Sequence, residues 1–554
     1  MKDNLWLKQY PEGVPETIDV NEFSSLVDIF EKNCERFADA PAYVNMGTAL
    51  TYRELDRKTL AFAAYLQNEL GFNKGDRVAI MMPNLLQYPV ALFGILRAGL
   101  VVVNVNPMYT ARELEHQLTD SGARGLVVVE NFAATAQKAL PSSSVEAIIT
   151  TQVGDLFPAP KSLLINLAAK YLKKMVPDWH IPGSVSLPQA LSRGRSLGFE
   201  PPALTHEDMA FLQYTGGTTG KPKGAILTHS NMVANVQQAS AWVGPWTEVG
   251  KEIIITALPL YHVFALTVNC MIFLKMGGMN VLITDPRDMP GFVKELSRHR
   301  FTALTGVNTL FNGLLNTQGF ADLDFSSLKF AIGGGMAVQK AVAERWEKVT
   351  GKPLIEGYGL TETSPAAVFN PLTVKRYNGS IGIPLPSTEV IILDEEGKEM
   401  PVGKPGELCI RGPQVMKGYW EKPEENEKTF TDSGFLRTGD VAEMDESGYL
   451  YIVDRKKDMI LVSGFNVFPN EVEGVVAQHP GVLECACVGV PDEKSGEAVK
   501  LFVVRKDESL DKDTLIEYCR ENLTAYKVPK YVEFRDELPK SNVGKILRKE
   551  LKSG

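Results

Sequence analysis

Short apolar runs alternate with helically periodic segments between residues 77 and 129 of this chain. Residues 77–82, 101–105 and 125–129 have the length and the apolar content of buried strands. Residues 86–98 and 111–118 lie between them and repeat apolar side chains with the period of a helix. Because parallel strands need crossover connections, this alternation predicts a parallel sheet with helices on its faces.

The same alternation resumes further along the chain, with strand-like runs at residues 301–304, 328–332 and 353–355. We therefore predict an α/β fold with two doubly wound subdomains that extend to about residue 375. Between residues 389 and 411 the pattern changes to short strands separated by Glu-Gly and Gly-Lys-Pro-Gly turns, typical of hairpins or a small barrel. This predicts a β-barrel-like subdomain over about residues 376–454.

A basic run, Arg-Lys-Lys-Asp at residues 455–458, marks the boundary to the last part of the chain. The segments after it predict two helices and two strands, which suffice for a separate small α+β domain. The helices are predicted at residues 470–477 and 513–522, and the strands at residues 483–488 and 499–504. The predicted division is an N-terminal body over residues 1–454 and a C-terminal domain over residues 455–554.

The composition is that of an ordinary globular protein. Of its 554 residues, 44% are hydrophobic and 23% charged, which excludes an intrinsically disordered chain. The length corresponds to roughly three or four folding units. With 58 basic and 67 acidic residues, the formal net charge is −9. A general nucleic-acid binder needs a basic footprint and is therefore excluded.

Cysteine usage and hydropathy predict a reduced, cytoplasmic protein. The six cysteines form no Cys-x-x-Cys pair and have no histidine at zinc-ligand spacing. The first residues of the chain show no apolar signal-peptide core. The two most apolar regions, 78–105 and 253–283, are interrupted by polar residues, so neither offers the ~20 clean apolar residues of a membrane span.

Residues 161–176 form an amphipathic helix candidate. One predicted face holds Leu164, Ala168, Tyr171, Leu172 and Met175, and the other holds Lys170, Lys173 and Lys174. A basic amphipathic helix can lie on an anionic membrane surface, here the cytoplasmic face of the membrane. A surface helix that packs on the protein's own core is the alternative.

A loop rich in glycine and threonine gives the first chemical signal, in the sequence FLQYTGGTTGKPKGA at residues 211–225. Glycine lets backbone N–H groups approach a phosphate chain, while the threonines supply hydroxyls and the lysines supply charge. The loop is not a P-loop, because Thr215 stands at the first glycine position and Pro222 follows Lys221. It predicts a phosphate-binding loop of a different kind.

The segment YTGGTTGKPKG resembles the phosphate-loop motif of the adenylate-forming superfamily, which contains acyl-CoA synthetases, non-ribosomal peptide adenylation domains and luciferases. Four further segments resemble that superfamily's motifs and stand in its order along the chain: GYGLTE (357–362), LRTGD (436–440), YIVDRKKD (451–458) and PKSNVGKILR (539–548). The superfamily usually has serine at the position of Gly217. Glycine at this position resembles the motif of the bacterial long-chain fatty-acyl-CoA synthetase branch. Residues 433–457 resemble the longer signature of that branch.

The resemblance implies a two-step reaction with ATP, Mg²⁺ and coenzyme A. A fatty carboxylate attacks the α-phosphate of ATP, and the thiol of coenzyme A then takes the acyl group from acyl-AMP. The residues implied for catalysis are Lys545, Glu362, Thr215 and His262, with Glu362 and Thr215 also implied as magnesium ligands. The residues implied for binding are Tyr214, Thr215, Gly216, Gly217, Thr218, Thr219, Gly220, Lys221, Lys223, Gly334, Gly335, Met336, Gly357, Tyr358, Gly359, Thr361, Asp440, Arg455, Lys457 and Gly464.

Individual roles follow from the same resemblance. Lys545 is the implied cation of the adenylation step, and Asp440 the implied acceptor for both ribose hydroxyls. Lys457 is the implied hinge about which a mobile C-terminal domain rotates and brings Gly464 toward coenzyme A. His262 is implied near the acyl pocket. For His262 the alternative of a hydrogen-bonded core histidine stays open. For Lys457 the alternative of a solvated surface charge stays open.

The leading hypothesis is a long-chain fatty acid–CoA ligase with a fatty acid and coenzyme A as partners. The alternatives within the superfamily are a medium-chain or aryl-CoA ligase, a fatty-acyl-AMP ligase and a luciferase. A catalytically inactive lipid-binding scaffold is disfavoured, because Glu362, Asp440, Arg455 and Lys545 are all present. Neither acyl chain length nor oligomeric state, including a homodimer, is decided by the sequence.

Overall fold

Four β-sheets organise the part of the chain that the computed structural model describes, residues 4–215, 222–492 and 494–552. The strands, in chain order, are β1 (Pro41–Asn45), β2 (Thr48–Thr51), β3 (Arg77–Met81), β4 (Val101–Val105), β5 (Gly125–Val129), β6 (Ala147–Thr151), β7 (Val185–Ser186), β8 (Met209–Thr215), β9 (Lys223–Thr228), β10 (Ile253–Thr256), β11 (Met279–Leu282), β12 (Ala303–Gly306), β13 (Phe330–Gly333), β14 (Leu354–Gly359), β15 (Ala366–Phe369), β16 (Ile383–Pro384), β17 (Glu389–Leu393), β18 (Gly406–Arg411), β19 (Leu436–Met444), β20 (Leu450–Arg455), β21 (Ile460–Val462), β22 (Phe465–Val467), β23 (Val482–Asp492), β24 (Gly496–Arg505) and β25 (Tyr531–Arg535).

Helices connect these strands. The α-helices, in chain order, are α1 (Leu26–Arg36), α2 (Tyr52–Ala64), α3 (Gln87–Arg97), α4 (Ala111–Ser121), α5 (Ala133–Ala139), α6 (Lys161–Leu167), α7 (Leu187–Gly194), α8 (His229–Val243), α9 (Ile272–Lys275), α10 (Met289–Leu296), α11 (Asn308–Leu315), α12 (Lys340–Thr350), α13 (Pro423–Thr429), α14 (Pro469–Val476), α15 (Lys512–Asn522) and α16 (Arg548–Lys552).

The first sheet has seven described strands in the order β7-β6-β5-β3-β4-β8-β9. Its strands run parallel from β7 to β8, and β9 joins β8 as an antiparallel edge. The predicted alternation between residues 77 and 129 is confirmed, since β3, α3, β4, α4 and β5 follow one another there. The predicted phosphate loop falls in the sequence between β8 and β9.

The second sheet has nine described strands in the order β16-β15-β14-β13-β12-β10-β11-β1-β2. The six neighbouring strands from β14 to β1 run parallel to one another, and the flanking strands β15, β16 and β2 each pair antiparallel with their neighbour. The three strands predicted between residues 301 and 355 correspond to β12, β13 and β14. One continuous apolar core, extending from Trp6 to Leu450, joins both large sheets into a single N-terminal body.

The third sheet corrects the predicted β-barrel. Strands β17, β18, β19 and β20 form an open antiparallel sheet in that order, and β17 does not pair with β20. The hairpin of β17 and β18 is as predicted, but the closed barrel is wrong. Closure requires enough tilted strands to surround a filled interior. Here one face of the open four-stranded sheet packs against the main core, through residues such as Val390, Leu408 and Leu436.

The fourth sheet belongs to the C-terminal part of the chain, in the order β22-β21-β24-β23 with β25 parallel to β24. Helices α14 and α15 pack on it, and Val472 and Leu515 belong to an apolar cluster separate from that of the N-terminal body. A second small cluster on this sheet includes Phe502 and Leu551. The C-terminal part therefore has a core of its own.

Residues 161–175 present an apolar surface to solvent. Helix α6 continues as a π-helical turn over Ala168–Leu172, and neither segment has a buried residue. Ile165 packs against the core, but Tyr171 is 68% and Leu172 80% exposed. The exposed apolar side chains here are Leu163, Leu164, Leu167, Tyr171, Leu172 and Met175. Among the described residues, no helix is both long enough and apolar enough to span a membrane.

Helices α2 and α7 meet at a glycine, which gives a test of how tightly the body is packed. A Cβ atom on Gly194 would lie 1.9 Å from the carbonyl oxygen of Ala61, whereas one on Gly198 would meet no atom within 4 Å. We expect Gly194→Ala to lower the free energy of unfolding by roughly 1–3 kcal/mol, because the helices must separate. Denaturant unfolding monitored by circular dichroism measures this. Gly198→Ala is the matched control, and equal stabilities of the two variants would contradict the packing described.

Candidate active site

The carboxyl ends of three neighbouring parallel strands form the floor of the candidate site. Strands β12, β13 and β14 lie side by side, so the segments that follow them meet at one sheet edge. Val307 and the Gly334–Gly335 pair lie in the segments after β12 and β13, and Tyr358 lies at the carboxyl end of β14 itself. Ligands of α/β sheets bind at this edge, because backbone groups and loops converge there. Buried Gly334 donates its N–H to the carbonyl of Gly306. This hydrogen bond fixes the segment after β13 against the end of β12.

Lys545 reaches this floor from the C-terminal domain. It lies in a turn between β25 and α16, closed by a bridge between Lys540 and Ile546. Its Nζ lies 3.7 Å and its Cε 3.2 Å from the position that a Cβ atom on Gly335 would occupy. The structure therefore brings together Lys545 and Gly335, which the sequence places in different domains.

The electrostatics of Lys545 connect it to four other predicted residues. Burial, and then the charge of Arg455, lower the pKa of Lys545, while Asp440 and Glu362 act in the opposite direction, and the net result is a pKa of about 8. Burial, and then the charge of Lys545, lowers the pKa of His262 to about 3. His262 is therefore neutral at physiological pH, and its Nδ1 accepts the N–H of Phe264 at 3.3 Å.

Asp440 is a buried carboxylate with two partners in the site. It is 4% exposed, and its Oδ2 accepts the phenol O–H of Tyr358 at 2.6 Å. Its Oδ1 lies 3.3 Å from the Nε of Arg455, which stands directly opposite it in the β19–β20 pairing. Burial, and then the charge of Asp440, raises the pKa of Tyr358 well above its usual value, so Tyr358 remains a hydrogen-bond donor.

Glu362 has a similar tyrosine partner that sequence reasoning missed. Its Oε1 accepts the phenol O–H of Tyr419 at 2.6 Å. The Nζ of Lys223 stands 5.3 Å from the centre of the Tyr419 ring and forms an ion pair with Glu425 of α13. A signal for Tyr419 was available in the Gly-Tyr-Trp run at residues 418–420, just before the acidic segment of α13.

The predicted phosphate loop is described only at its two ends. The predicted residues Gly216, Gly217, Thr218, Thr219, Gly220 and Lys221 lie outside the described residues. Thr215 is half-buried at the end of β8 and pairs with Lys223 in the β8–β9 register. Tyr214 donates its phenol O–H to Asp120 of α4 at 2.7 Å, so this hydroxyl is engaged in the body of the protein.

The predicted magnesium ligands are a single carboxylate and a hydroxyl. Glu362 is half-buried, and one of its carboxylate oxygens is taken by Tyr419. No group of three or more His, Cys, Asp or Glu side chains suited to a metal ion occurs in the described part of the chain. Magnesium bound together with nucleotide uses one or two carboxylates plus phosphates and water, and Glu362 fits that pattern.

The remaining predicted binding residues divide into two groups. Gly357 and Gly359 lie in β14, Thr361 begins the short helical turn after it, and Met336 directly follows Gly335. Lys457 and Gly464 are exposed. Gly464 forms, with Ser463, the two-residue turn between β21 and β22, and the described hydrogen bonds of that turn do not reach the site. Both turn residues have positive φ, 51° and 83°, as a type I′ hairpin requires.

Comparisons with known proteins cover both parts of the chain. A family model described as AMP-binding enzyme matches residues 30–420, and one described as AMP-binding enzyme C-terminal domain matches residues 471–545. A long-chain-fatty-acid–CoA ligase of Escherichia coli O6:H1 is 59% identical over 548 residues, 99% of this chain and 98% of that protein. A long-chain-fatty-acid–CoA ligase of Haemophilus influenzae is 53% identical over 554 residues, again 99% and 98%.

A solved structure adds a likeness of fold. The crystal structure of an anthranilate CoA ligase in complex with anthranoyl-AMP superimposes with a TM-score of 0.85 at 26% sequence identity. The likeness covers 97% of this chain and 98% of that one.

The lowered pKa of Lys545 can be tested without assuming any reaction. We expect competitive acetylation of Lys545, read by mass spectrometry over a pH series, to follow a titration curve centred near pH 8. Asp440→Asn should move the midpoint lower, because it removes a negative charge that stabilises the ammonium form. Arg455→Gln should move it higher. Acetylation of Lys340, an exposed lysine of α12, is measured in the same samples as an internal reference for the activity of the reagent. A midpoint that is the same in all three proteins would contradict the described charge cluster.

Proposed function

The chain belongs to the AMP-binding enzyme family, and we propose that it is a long-chain-fatty-acid–CoA ligase. The substrate class is taken from the full-length relatives that carry this name at 53–59% identity. The observation that carries the chemistry is the placement of Lys545. Its ammonium group, half-buried, stands in the same charge cluster as Asp440, Glu362 and Arg455.

The first half-reaction joins two anions. A carboxylate oxygen of the fatty acid forms a bond to the α-phosphorus of ATP, and the bond from that phosphorus to the pyrophosphate oxygen breaks. Lys545 supplies a positive charge where the carboxylate and the α-phosphate meet. Bound phosphates raise the pKa of a neighbouring ammonium group, so Lys545 remains protonated while substrate is present.

The nucleotide is held by the floor of the site. Asp440 has acceptor capacity left after its contacts with Tyr358 and Arg455, and this suits two ribose hydroxyls. The absence of side chains at Gly334 and Gly335 would leave room for the adenine ring. The loop between β8 and β9 would enclose the β- and γ-phosphates with its backbone N–H groups.

Mg²⁺ would neutralise phosphate charge when it is bound with ATP. Glu362 would hold it through the carboxylate oxygen that Tyr419 leaves free, and Thr215 would contribute its hydroxyl. The bond from Tyr419 keeps the carboxylate of Glu362 in one orientation, as outer hydrogen bonds to metal ligands do.

The second half-reaction forms the thioester. The sulfur of coenzyme A bonds to the acyl carbon of acyl-AMP, the bond from that carbon to the phosphate oxygen breaks, and AMP leaves with the electron pair. The thiol proton is released. We place the domain boundary at residues 454 and 455 and the hinge at Lys457. Rotation there would withdraw Lys545 and bring the Ser463–Gly464 turn toward coenzyme A.

The exposed apolar surface of residues 161–175 supports a peripheral location on the cytoplasmic face of the membrane. Long-chain fatty acids partition into bilayers, so an enzyme that lies on the bilayer meets its substrate there. Leucine and tyrosine side chains would enter the interface, and Lys170, Lys173 and Lys174 would meet anionic head groups.

A substrate panel tests the proposed function. Acids from acetate through octanoate to palmitate and oleate, together with benzoate and ferulate, are scored for AMP release with and without coenzyme A. We expect the highest kcat/KM with the long-chain acids and a release of AMP that requires coenzyme A. Coenzyme A-independent formation of acyl-AMP as the final product would identify a fatty-acyl-AMP ligase instead. Preference for benzoate or ferulate would identify an aryl-CoA ligase.

Vesicle sedimentation tests the membrane surface. At low ionic strength we expect replacement of Lys170, Lys173 and Lys174 by glutamine to weaken binding to anionic vesicles by about 100-fold, because each surface lysine contributes about 1 kcal/mol. The matched control replaces Lys251, Lys340 and Lys348, which changes the net charge equally at other surfaces. Unchanged affinity of the first variant, or an equal loss in both, would contradict the assignment.

A further inference from the structure

One edge of helix α11 contacts the C-terminal domain at two points. The Oγ1 of Thr309 donates a hydrogen bond to the carbonyl oxygen of Gly544 at 2.9 Å. The Nδ2 of Asn312 donates to the carbonyl oxygen of Leu483 at 3.1 Å. Residues three apart lie on the same face of a helix. The face of α11 that carries Thr309 and Asn312 therefore contacts the C-terminal domain.

The turn that carries Lys545 is closed by its own hydrogen bonds. The N–H of Ser541 donates to the carbonyl of Lys545 at 2.7 Å, and the N–H of Gly544 donates to the carbonyl of Ser541 at 2.9 Å. The Oγ of Ser541 accepts the N–H of Lys545 at 3.1 Å. Because the turn is closed in this way, a group that fixes Gly544 also fixes the backbone of Lys545.

The approach of this turn to α11 depends on glycine. Gly544 has φ +82°, and a Cβ atom there would lie 2.8 Å from the Oγ1 of Thr309 and 3.1 Å from a methyl group of Val307. A larger residue would push the turn away from α11 and withdraw the side chain of Lys545 from the site.

A second contact holds the other end of the same turn. The Nδ2 of Asn542 donates to the Oδ1 of Asn106 at 2.8 Å, and the Oδ1 of Asn542 accepts a hydrogen bond from Arg287 at 3.5 Å. Asn106 directly follows β4 of the seven-stranded sheet, and Arg287 follows β11 of the nine-stranded sheet. One side chain of the C-terminal domain therefore contacts both halves of the N-terminal body.

Helix α11 also fixes the segment below the lysine. The Oδ1 of Asn308 accepts the N–H of Gln339 at 2.9 Å. Gln339 closes the loop that contains Gly334 and Gly335, beside which the Nζ of Lys545 stands. Neighbouring residues of one helix, Asn308 and Thr309, thus fix the floor of the site and the lysine above it relative to each other.

We propose that Thr309 and Asn106 are positioning residues for the first half-reaction, and that they act on Lys545 through Gly544 and Asn542. This inference rests on the proposed function and adds to it the groups of the N-terminal body that define the adenylating arrangement. The bonds of Thr309 and Asn106 must break when the C-terminal domain rotates, so they act on acyl-AMP formation and not on thioester formation.

Thr309→Val tests the proposal, because valine keeps the shape of threonine and removes its hydroxyl. We expect the single-turnover rate of acyl-AMP formation to fall roughly 2- to 12-fold, the effect of one net hydrogen bond. The KM for ATP and the thermal midpoint should stay unchanged. Release of acyl-CoA from supplied acyl-adenylate and coenzyme A should keep its wild-type rate. Thr309→Ser restores the hydroxyl and should restore the rate.

The background of Lys545→Ala separates positioning from other effects. If Thr309 acts through Lys545, Thr309→Val should cause no further loss of acyl-AMP formation in that background. A further loss of the same size, or an equal fall in both half-reactions, would overturn the proposal. A wild-type enzyme that forms no acyl-AMP from any acid of the panel would instead contradict the proposed function, so the two failures are distinguishable.

The second contact gives an independent measurement. Asn542→Ala and Asn106→Ala should each slow acyl-AMP formation, and the double variant should be no slower than the slower single variant, because the bond between Asn542 and Asn106 is already lost in each single variant. Additive losses would show that the two side chains act separately and would overturn their assignment as a pair. If Thr309→Val does not fold, the double-mutant cycle of Asn542 and Asn106 tests the proposal without it.

Discussion

A half-buried ammonium group stabilised by the charges of two carboxylates is the interaction on which this site depends. Removing the charge of Lys545 from water is costly, and its pKa of about 8 reflects that cost. Asp440 and Glu362 offset part of it. The lysine belongs to the C-terminal domain and the carboxylates to the N-terminal body. The charge balance therefore exists only while the two domains are docked, and the bonds at α11 and Asn106 hold them there.

Each of the two carboxylates is oriented in the same manner. Tyr358 donates to Asp440 and Tyr419 donates to Glu362, both at 2.6 Å. Burial, and then the adjacent carboxylate, raises the pKa of each tyrosine, so both remain phenols and act only as donors toward these oxygens. Each tyrosine occupies one oxygen and leaves acceptor capacity on its carboxylate. That capacity is what ribose hydroxyls and a phosphate-bound Mg²⁺ would use.

The chain thus combines a rigid body with contacts that are easily broken. The N-terminal body has a continuous apolar core beneath both large sheets, and its loops meet at the ends of β12, β13 and β14. The C-terminal domain has its own core and touches the body through single hydrogen bonds near the site and through contacts of Asn470 and Arg548 with Asp454 at the domain boundary. Individual hydrogen bonds contribute only about 1 kcal/mol each, so such an arrangement can be both specific and reversible.

The sequence by itself determined the α/β alternation, the hairpin at β17 and β18, and the chemical types of the site residues. Period and turn residues are local, and so they can be read from neighbouring positions. It did not determine the open third sheet, since closure depends on how strands pair across a sheet. It also missed Tyr419, Thr309 and Asn106. Asn106 meets its partner across 436 residues and Thr309 across 235. Only the tertiary structure decides such contacts, because a hydrogen bond requires proximity in space and no local pattern records it.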